Sequence, residues 1–189
     1  MQIFVGGTWS DIKARPYAEK GLWLGRQIAS LGHDLACGPG TGIAKYVIAG
    51  YKSVCGTGRV RFYLPTPEEM QKAGEVVGEG ADETIETGLD YPLRNIFQIR
   101  ASDALFVLTG GDGTLEEAIV ALADYKLPVS AVRGSGTAVK ALEVLSEIFP
   151  AWTEDLLIHE DMSKLLNHIV TRAKPVQVKQ GNDLIAVTD

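Results

Sequence analysis

Residues Ala104-Leu105-Phe106-Val107-Leu108 form an unbroken apolar run. The run stops abruptly at Thr109-Gly110-Gly111-Asp112-Gly113-Thr114, and a helical pattern follows to about Tyr125. A strand apolar on both faces suits a parallel sheet covered by helices on each side. The same unit recurs along the chain. The pattern predicts strands over Gln2–Val5, His33–Cys37, Arg59–Leu64, Asp82–Glu86, Pro128–Val132 and Leu156–His159. Between them it predicts helices over Pro16–Leu31, Ile43–Ser53, Pro92–Ala101, Thr137–Ile148 and Met162–Arg172, with a short helix and a loop within Thr66–Gly80. Strands alternating with helices at this spacing imply an α/β chain with a parallel sheet and right-handed crossovers.

The expected architecture is a three-layer, Rossmann-like, doubly wound and mainly parallel sheet flanked by helices. Residues 1–174 read as a single domain. Residues 175–189 read as a C-terminal β-hairpin tail, because two short apolar stretches flank Lys179-Gln180-Gly181-Asn182. With 46% hydrophobic and 22% charged residues the chain has ordinary globular usage, which excludes intrinsic disorder. A net charge of −6 speaks against a generic nucleic-acid binder. No stretch reaches the roughly 18 apolar residues of a membrane span. The start, Met1-Gln2-Ile3-Phe4-Val5-Gly6-Gly7, lacks the basic region of a secretory signal. Cys37 and Cys55 have neither metal-ligand spacing nor the makings of a disulfide framework. Together these point to a cytoplasmic protein without a membrane or nucleic-acid partner.

Glycine makes up 21 of the 189 residues, and it is clustered. Three glycine-rich turns fall at predicted strand ends: Gly6-Gly7-Thr8, Gly38-Pro39-Gly40-Thr41-Gly42 and Gly110-Gly111-Asp112-Gly113-Thr114. Open α/β sheets bind ligands at the carboxyl ends of their strands. The helix N-terminus behind such a turn offers free N–H groups and a positive dipole end to an anion. The candidate phosphate or nucleotide contacts are therefore Gly7, Thr8, Gly40, Thr41, Gly42, Gly110, Gly111, Asp112, Gly113 and Thr114. Tight turns use glycine for its conformational freedom alone, so one such turn by itself would say little.

Two charged residues stand out beside these turns. Glu117 follows Thr114 by three residues, on the same helical face. Thr114-Leu115-Glu116-Glu117 reads either as a capping box or as a carboxylate placed for chemistry beside an anion site. Arg94 falls in the first turn of a helix, where a cation opposes the helix dipole. It is either a ligand contact or a solvated surface arginine, and it shares a face with Gln98.

The segment Gly110-Gly111-Asp112-Gly113-Thr114-Leu115-Glu116-Glu117 resembles the PGGxGTxxE signature of the LOG ("Lonely Guy") family. That family comprises phosphoribohydrolases of nucleoside 5′-monophosphates, many of them once labelled lysine decarboxylases. The likeness extends over most of the chain. Gly32-His33-Asp34-Leu35-Ala36-Cys37-Gly38-Pro39-Gly40-Thr41-Gly42-Ile43 is similar to the family's GHxLVYGGGxxGLM segment, and Arg94 precedes Asp103 at the family's spacing. The resemblance implies Arg94 and Glu117 as catalytic residues, no metal, no organic cofactor and a homodimer. Ile96, Phe97, Ile99, Ala118 and Leu122 are compatible with a pairing surface and equally with a core. Thr109 replaces the signature proline, Pro39 the middle glycine of the second turn, and Tyr91-Pro92-Leu93 a Met-His segment. These departures leave open a nucleotide-binding sensor or carrier, like bare relatives in the group of DNA-processing protein A. Gly-Gly-Asp-Gly-Thr also occurs in NAD and lipid kinases, but that reading leaves Arg94 and Glu117 unexplained.

The remaining residues carry weaker expectations. Trp9 is a packing residue or a stacking platform for a base. Trp23 and Trp152 read as core or subunit contacts. Cys37 reads as a small buried residue. His33, His159 and His168 carry no assigned chemistry, and the run from Glu68 to Glu79 reads as a solvated loop.

Overall fold

The structure is a computed structural model that describes residues 1–174. The expected C-terminal hairpin therefore lies outside the described residues. Seven strands form one sheet, with order β4-β3-β2-β1-β5-β6-β7. They are β1 (Gln2–Gly7), β2 (Asp34–Cys37), β3 (Val60–Leu64), β4 (Glu83–Glu86), β5 (Ala104–Leu108), β6 (Val129–Val132) and β7 (Leu156–His159). Every neighbouring pair is parallel. From β1 the chain winds outward to β4, then returns to place β5 on the other side of β1. The switch in winding direction thus falls between β1 and β5.

Among the described residues eight helices join or follow the strands: α1 (Asp11–Ala14), α2 (Ala18–Ser30), α3 (Ile43–Lys52), α4 (Pro67–Ala73), α5 (Tyr91–Arg100), α6 (Asp112–Ala123), α7 (Thr137–Ile148) and α8 (Met162–Arg172). The expected helix over Pro16–Leu31 is instead α1, a 3-10 turn over Arg15–Tyr17 and then α2. Pro16 cannot donate a backbone hydrogen bond, which accounts for the tighter turn at that point.

Strand alternation divides the core into two layers. Ile3, Val5, Phe106 and Leu108 pack to one side with Leu24 and Ile28 of α2, Val47 of α3 and Leu165 and Ile169 of α8. Phe4, Leu105 and Val107 pack to the other with Ala118, Ala121 and Leu122 of α6 and Val139 and Leu142 of α7. Ser130 is fully buried in β6, and its hydroxyl donates to the Leu165 carbonyl at 2.8 Å, which ties α8 to the sheet. At the amino ends of the strands Arg61 donates to Asp34, Glu83 and Gln2. That network leaves the opposite, carboxyl edge to the glycine turns.

Helices α2 and α3 touch backbone to backbone. A Cβ at Gly25 would run into the Val47 carbonyl, and one at Gly50 into the Leu22 carbonyl. The expected outcome for Gly25→Ala is therefore destabilisation by about 2–4 kcal/mol, although alanine is the better helix former by about 1 kcal/mol. Denaturant unfolding measures it. A neutral or stabilised variant would contradict the close approach.

Candidate functional site

The three glycine turns converge on one cleft of about 550 Å³ at the carboxyl ends of β1, β2 and β5. Gly7, Thr8, Trp9, Gly40, Thr41, Gly111, Asp112, Gly113, Thr114, Arg94 and Glu117 line it. Gly42, Gly110 and Gln98 do not line it. Gly6 and Gly7 belong to β1 rather than to a turn, paired with Val107 and Leu108. Trp9 is 68% exposed at the rim, so it is no packing residue.

The two turns flanking β1 differ in what their donors are doing. At the second turn the Gly42 N–H donates to Asp11 Oδ1 at 3.1 Å, and Lys45 Nζ donates to Asp11 Oδ2 at 2.8 Å. The Ile43 N–H donates to the Thr8 carbonyl, and the Thr41 hydroxyl to Glu75 Oε1 at 3.1 Å. Carboxylates of the chain itself already fill the start of α3. At the third turn Gly111 precedes α6, and no side chain caps the helix. The first N–H groups of a helix have no partner within it. Of the two turns, the third is the one where no carboxylate is hydrogen-bonded across the helix start.

Helix α6 begins at Asp112, two residues before the sequence expectation. This removes the capping-box reading. Thr114 lies buried inside the first turn against the Gly110 backbone, and Glu117 lies in the second turn, too far along to cap. Thr109 adopts φ +68°, a left-handed conformation unusual for a β-branched residue. Its N–H donates to Ser135 Oγ at 3.0 Å.

Glu117 is half-buried and reaches back under β1. A Cβ at Gly6 would stand 3.1 Å from its Oε2, so that glycine makes room for the carboxylate. Burial pushes its pKa from 4.5 up to about 7; the Arg94 charge pulls it down and Glu116 pushes it further up. Arg94 is buried and 5% exposed. Its Nη1 donates to Gln98 Oε1 at 3.0 Å, and its guanidinium lies 5.2 Å from the Tyr91 ring centre. Burial lowers its pKa, while Glu117, Glu75 and Tyr91 raise it. Arg94 is thus no solvated arginine, and Gln98 acts by holding it. No direct ion pair joins Arg94 to Glu117 among the described residues. Arg94 Nε, Asn95 Oδ1 and Gln98 Nε2 are buried on α5 without partners. Buried polar groups are ordinarily paired, and two of these orphans, Arg94 Nε and Asn95 Oδ1, belong to residues that line the cleft.

Several cleft residues escape sequence reasoning. Lys13, Asn95, Tyr91 and Glu75 line the cleft, and Gly38 allows Arg94 to approach, since a Cβ there would meet Nη1 at 3.1 Å. Glu75 corrects the solvated-loop reading of Glu68–Glu79. Its carboxylate accepts from both Thr41 and the Tyr91 hydroxyl. The altered Tyr91-Pro92-Leu93 segment was the available signal. Cys37 is buried as expected, and burial pushes its thiol up to about 12, away from thiolate chemistry. His159 and His168 make local contacts with the Asp161 N–H and Ser130 Oγ. Of the expected pairing residues, Ile99, Ala118 and Leu122 are spent in the core, while Phe97 is 41% exposed. Among the described residues, no helix is long and apolar enough to cross a membrane.

A parallel doubly wound sheet with a glycine-lined cleft at its switch point, carrying a buried arginine and a carboxyl, defines a LOG-like Rossmann protein. The chain belongs to the SLOG cluster4 family, whose sequence model matches residues 1–172. It is 32% identical over 130 residues to a probable cytokinin riboside 5′-monophosphate phosphoribohydrolase of Oryza sativa subsp. japonica. That match takes in 68% of this chain and 54% of the rice protein, so the chain spans about half the length of that relative. Its fold is similar to the molybdenum cofactor carrier protein of Chlamydomonas reinhardtii, with TM-score 0.71 and 22% identity over 90% of this chain and 98% of the carrier. It is also similar to DNA processing protein A of Helicobacter pylori, described for its single-stranded DNA binding, with TM-score 0.61 and 13% identity over 92% and 82% of the two chains.

Two outcomes follow from this geometry. Folded Glu117 holds its proton up to about pH 7, whereas an ordinary glutamate releases it near 4.5. The native state therefore binds more protons between those values, and stability falls as pH rises through that window and stays lower above it. Glu117→Gln is expected to exceed the parent in stability at pH 8 by about 1–3 kcal/mol, with the difference gone near pH 4. Thermal unfolding at the two pH values checks this, and a difference that does not change with pH would refute it. At Thr109, restoring the signature proline is expected to destabilise by about 2 kcal/mol or more, because proline holds φ near −65° and has no N–H for Ser135. A Thr109→Pro variant with unchanged unfolding would show that the turn is not built as described.

Proposed function

We propose that the chain hydrolyses the N-glycosidic bond of a nucleoside 5′-monophosphate, giving the free base and ribose 5-phosphate. The observation that carries this reading is Glu117. A carboxyl beside an uncapped helix N-terminus weakens phosphate binding by like charge, so it has no use in simple anion capture. It is useful where positive charge develops. N-glycosidic cleavage passes through an oxocarbenium-like state, as other glycoside cleavage does.

On this reading the amides of Gly111, Gly113 and Thr114 hold the 5′-phosphate at the start of α6. Ionised Glu117 holds ribose hydroxyls and stabilises the sugar ring as the bond from C1′ to the base nitrogen breaks. The bonding electron pair leaves with the base, whose ring nitrogen takes a proton from solvent, and Arg94 places its charge beside that departing group. Water attacks C1′, and Glu117 takes the proton that this water loses. Such a preorganised charge acts most strongly in a site sheltered from water. Trp9 at the rim offers a face for stacking on the base. Leu93 and Phe97, exposed on α5, offer apolar surface for a homodimer. The activity named for the rice relative supports the same reaction class.

A second reading is a binding or carrier protein. It is supported by the fold shared with the molybdenum cofactor carrier protein and by the altered second and third turns. Incubation with a panel of nucleoside 5′-monophosphates, read by chromatography for free base, separates the two. The hydrolase reading expects base release that rises as pH passes about 7, since Glu117 must be ionised. It expects Glu117→Gln to lose about a hundredfold or more in rate. Thermal stabilisation by a nucleotide with no base release from any of them would establish the carrier instead.

A further inference from the structure

Segment 74–80 lies against the second glycine turn and is fastened at two points. The Gly78 N–H donates to the Pro39 carbonyl at 2.6 Å. The Glu75 carboxylate accepts from Thr41 Oγ1 at 3.1 Å and from the Tyr91 hydroxyl. Between and beyond these ties Val76 and Val77 are 70% and 49% exposed, so the segment is not held by apolar burial. What places it is the carboxylate, which lines the cleft.

The strand order sets where that carboxylate stands. β2 and β5 flank β1, so the second and third turns lie two strand spacings apart, roughly 10 Å. Glu75 follows β3 and α4 and reaches in from farther along the same side. Arg94 lies within the electrostatic reach of both Glu117 and Glu75. The cleft thus has one end built from the free start of α6 and another built from Glu75, Tyr91 and Thr41. Two strand spacings, roughly 10 Å, separate the turns at these two ends.

At the Glu75 end two hydroxyl donors of the protein are spent on the carboxylate. The Thr41 and Tyr91 hydroxyls both point their protons at the carboxylate, and the Gly42 N–H is spent on Asp11. A carboxylate has about four lone-pair sites, so two remain for a ligand. A group placed there must donate hydrogen bonds. An acceptor or a second anion would face an unpaired negative charge.

We infer that Glu75 is a specificity-determining residue that selects ligands whose end remote from the phosphate carries an amino group. The inference rests on the nucleotide reading of the cleft and assigns that cleft to amino-bearing bases. The carboxylate takes the exocyclic N–H, and Tyr91 and Thr41 hold the carboxylate in place. Charge-assisted hydrogen bonds of this kind discriminate strongly against analogues that lack the donor.

The test compares two pairs of probes by calorimetry. Adenosine 5′-monophosphate is set against purine riboside 5′-monophosphate, which lacks only the 6-amino group. Guanosine 5′-monophosphate is set against inosine 5′-monophosphate, which lacks only the 2-amino group. In the parent protein one pair should differ by about tenfold to a hundredfold in affinity, the range of one hydrogen bond to a charged group. Glu75→Gln should reduce that ratio to within about threefold by weakening the charged acceptor. Tyr91→Phe, which keeps the carboxylate and its Thr41 hydrogen bond, should retain part of the preference. Equal affinities within both pairs, a ratio that survives Glu75→Gln, a ratio lost equally in Tyr91→Phe, or no binding of any probe would each overturn the inference. Base release is followed in parallel. Release with an unchanged ratio removes the inference and leaves the hydrolase reading standing. A ratio abolished by Glu75→Gln with no release removes the hydrolase reading and leaves the inference standing.

Discussion

Seven strands running in one direction bring their following helices back to one edge, start first. Each start carries unpaired N–H groups and partial positive charge. A parallel sheet therefore creates an electropositive rim that something must neutralise. The chain does so unevenly. Asp11 and Glu75 fill the beginning of α3, Thr66 caps α4, Asp90 caps α5 and Asp161 caps α8. At α6, beside the winding switch, no side chain hydrogen-bonds the helix start, and α7 is likewise uncapped. The start of α6 and the switch point coincide, and the cleft lies there.

The cleft is costly to build. Arg94 gives up most of its hydration, Glu117 is held in surroundings that favour its neutral form, and Thr109 sits in a left-handed conformation. Strain and desolvation of this kind persist only where the surrounding structure over-determines them. Here the two core layers do so. Phe4, Leu105 and Val107 on one face, and Val5, Phe106 and Leu108 on the other, fix β1 and β5 and so the turns that leave them. Gly6 and Gly38 leave the space into which Glu117 and Arg94 project.

Much of this was legible in the amino-acid order. The apolar run Ala104–Leu108 showed a strand buried on both faces, and the glycine clusters showed which strand ends would gather. What the order hid was where the donors go. Thr41 and Gly42 read as anion contacts from their glycine neighbours, yet their hydrogen bonds run to Glu75 and Asp11, more than thirty residues away. Local pattern carries no record of such pairings. Glu75 looked solvated because its neighbours are polar or exposed. Thr114 and Glu117 matched a capping box because that motif depends on a helix start that the glycines left ambiguous by two residues.

The arrangement of charge is what the proposal of turnover rather than storage rests on. A protein that only stores an anionic ligand gains nothing from a carboxyl beside the anion site, and uniform tight binding is better served by another donor. A protein that cleaves a glycosidic bond meets a substrate whose sugar becomes positive only in the transition state. A charge that is unhelpful in the ground state and favourable at that moment acts differentially, which is the condition for catalysis. On the proposed hydrolase reading Glu117, raised to about 7 by burial and opposed by Arg94 without a direct ion pair, would act in that way. Near neutral pH it is divided between its two forms. On the proposed reading its neutral form would weigh less against an arriving phosphate, and its ionised form would answer the developing charge. Arg94 would favour the ionised form further once a ligand excludes water from the space they share, because Coulombic interaction strengthens as the surroundings become less polar.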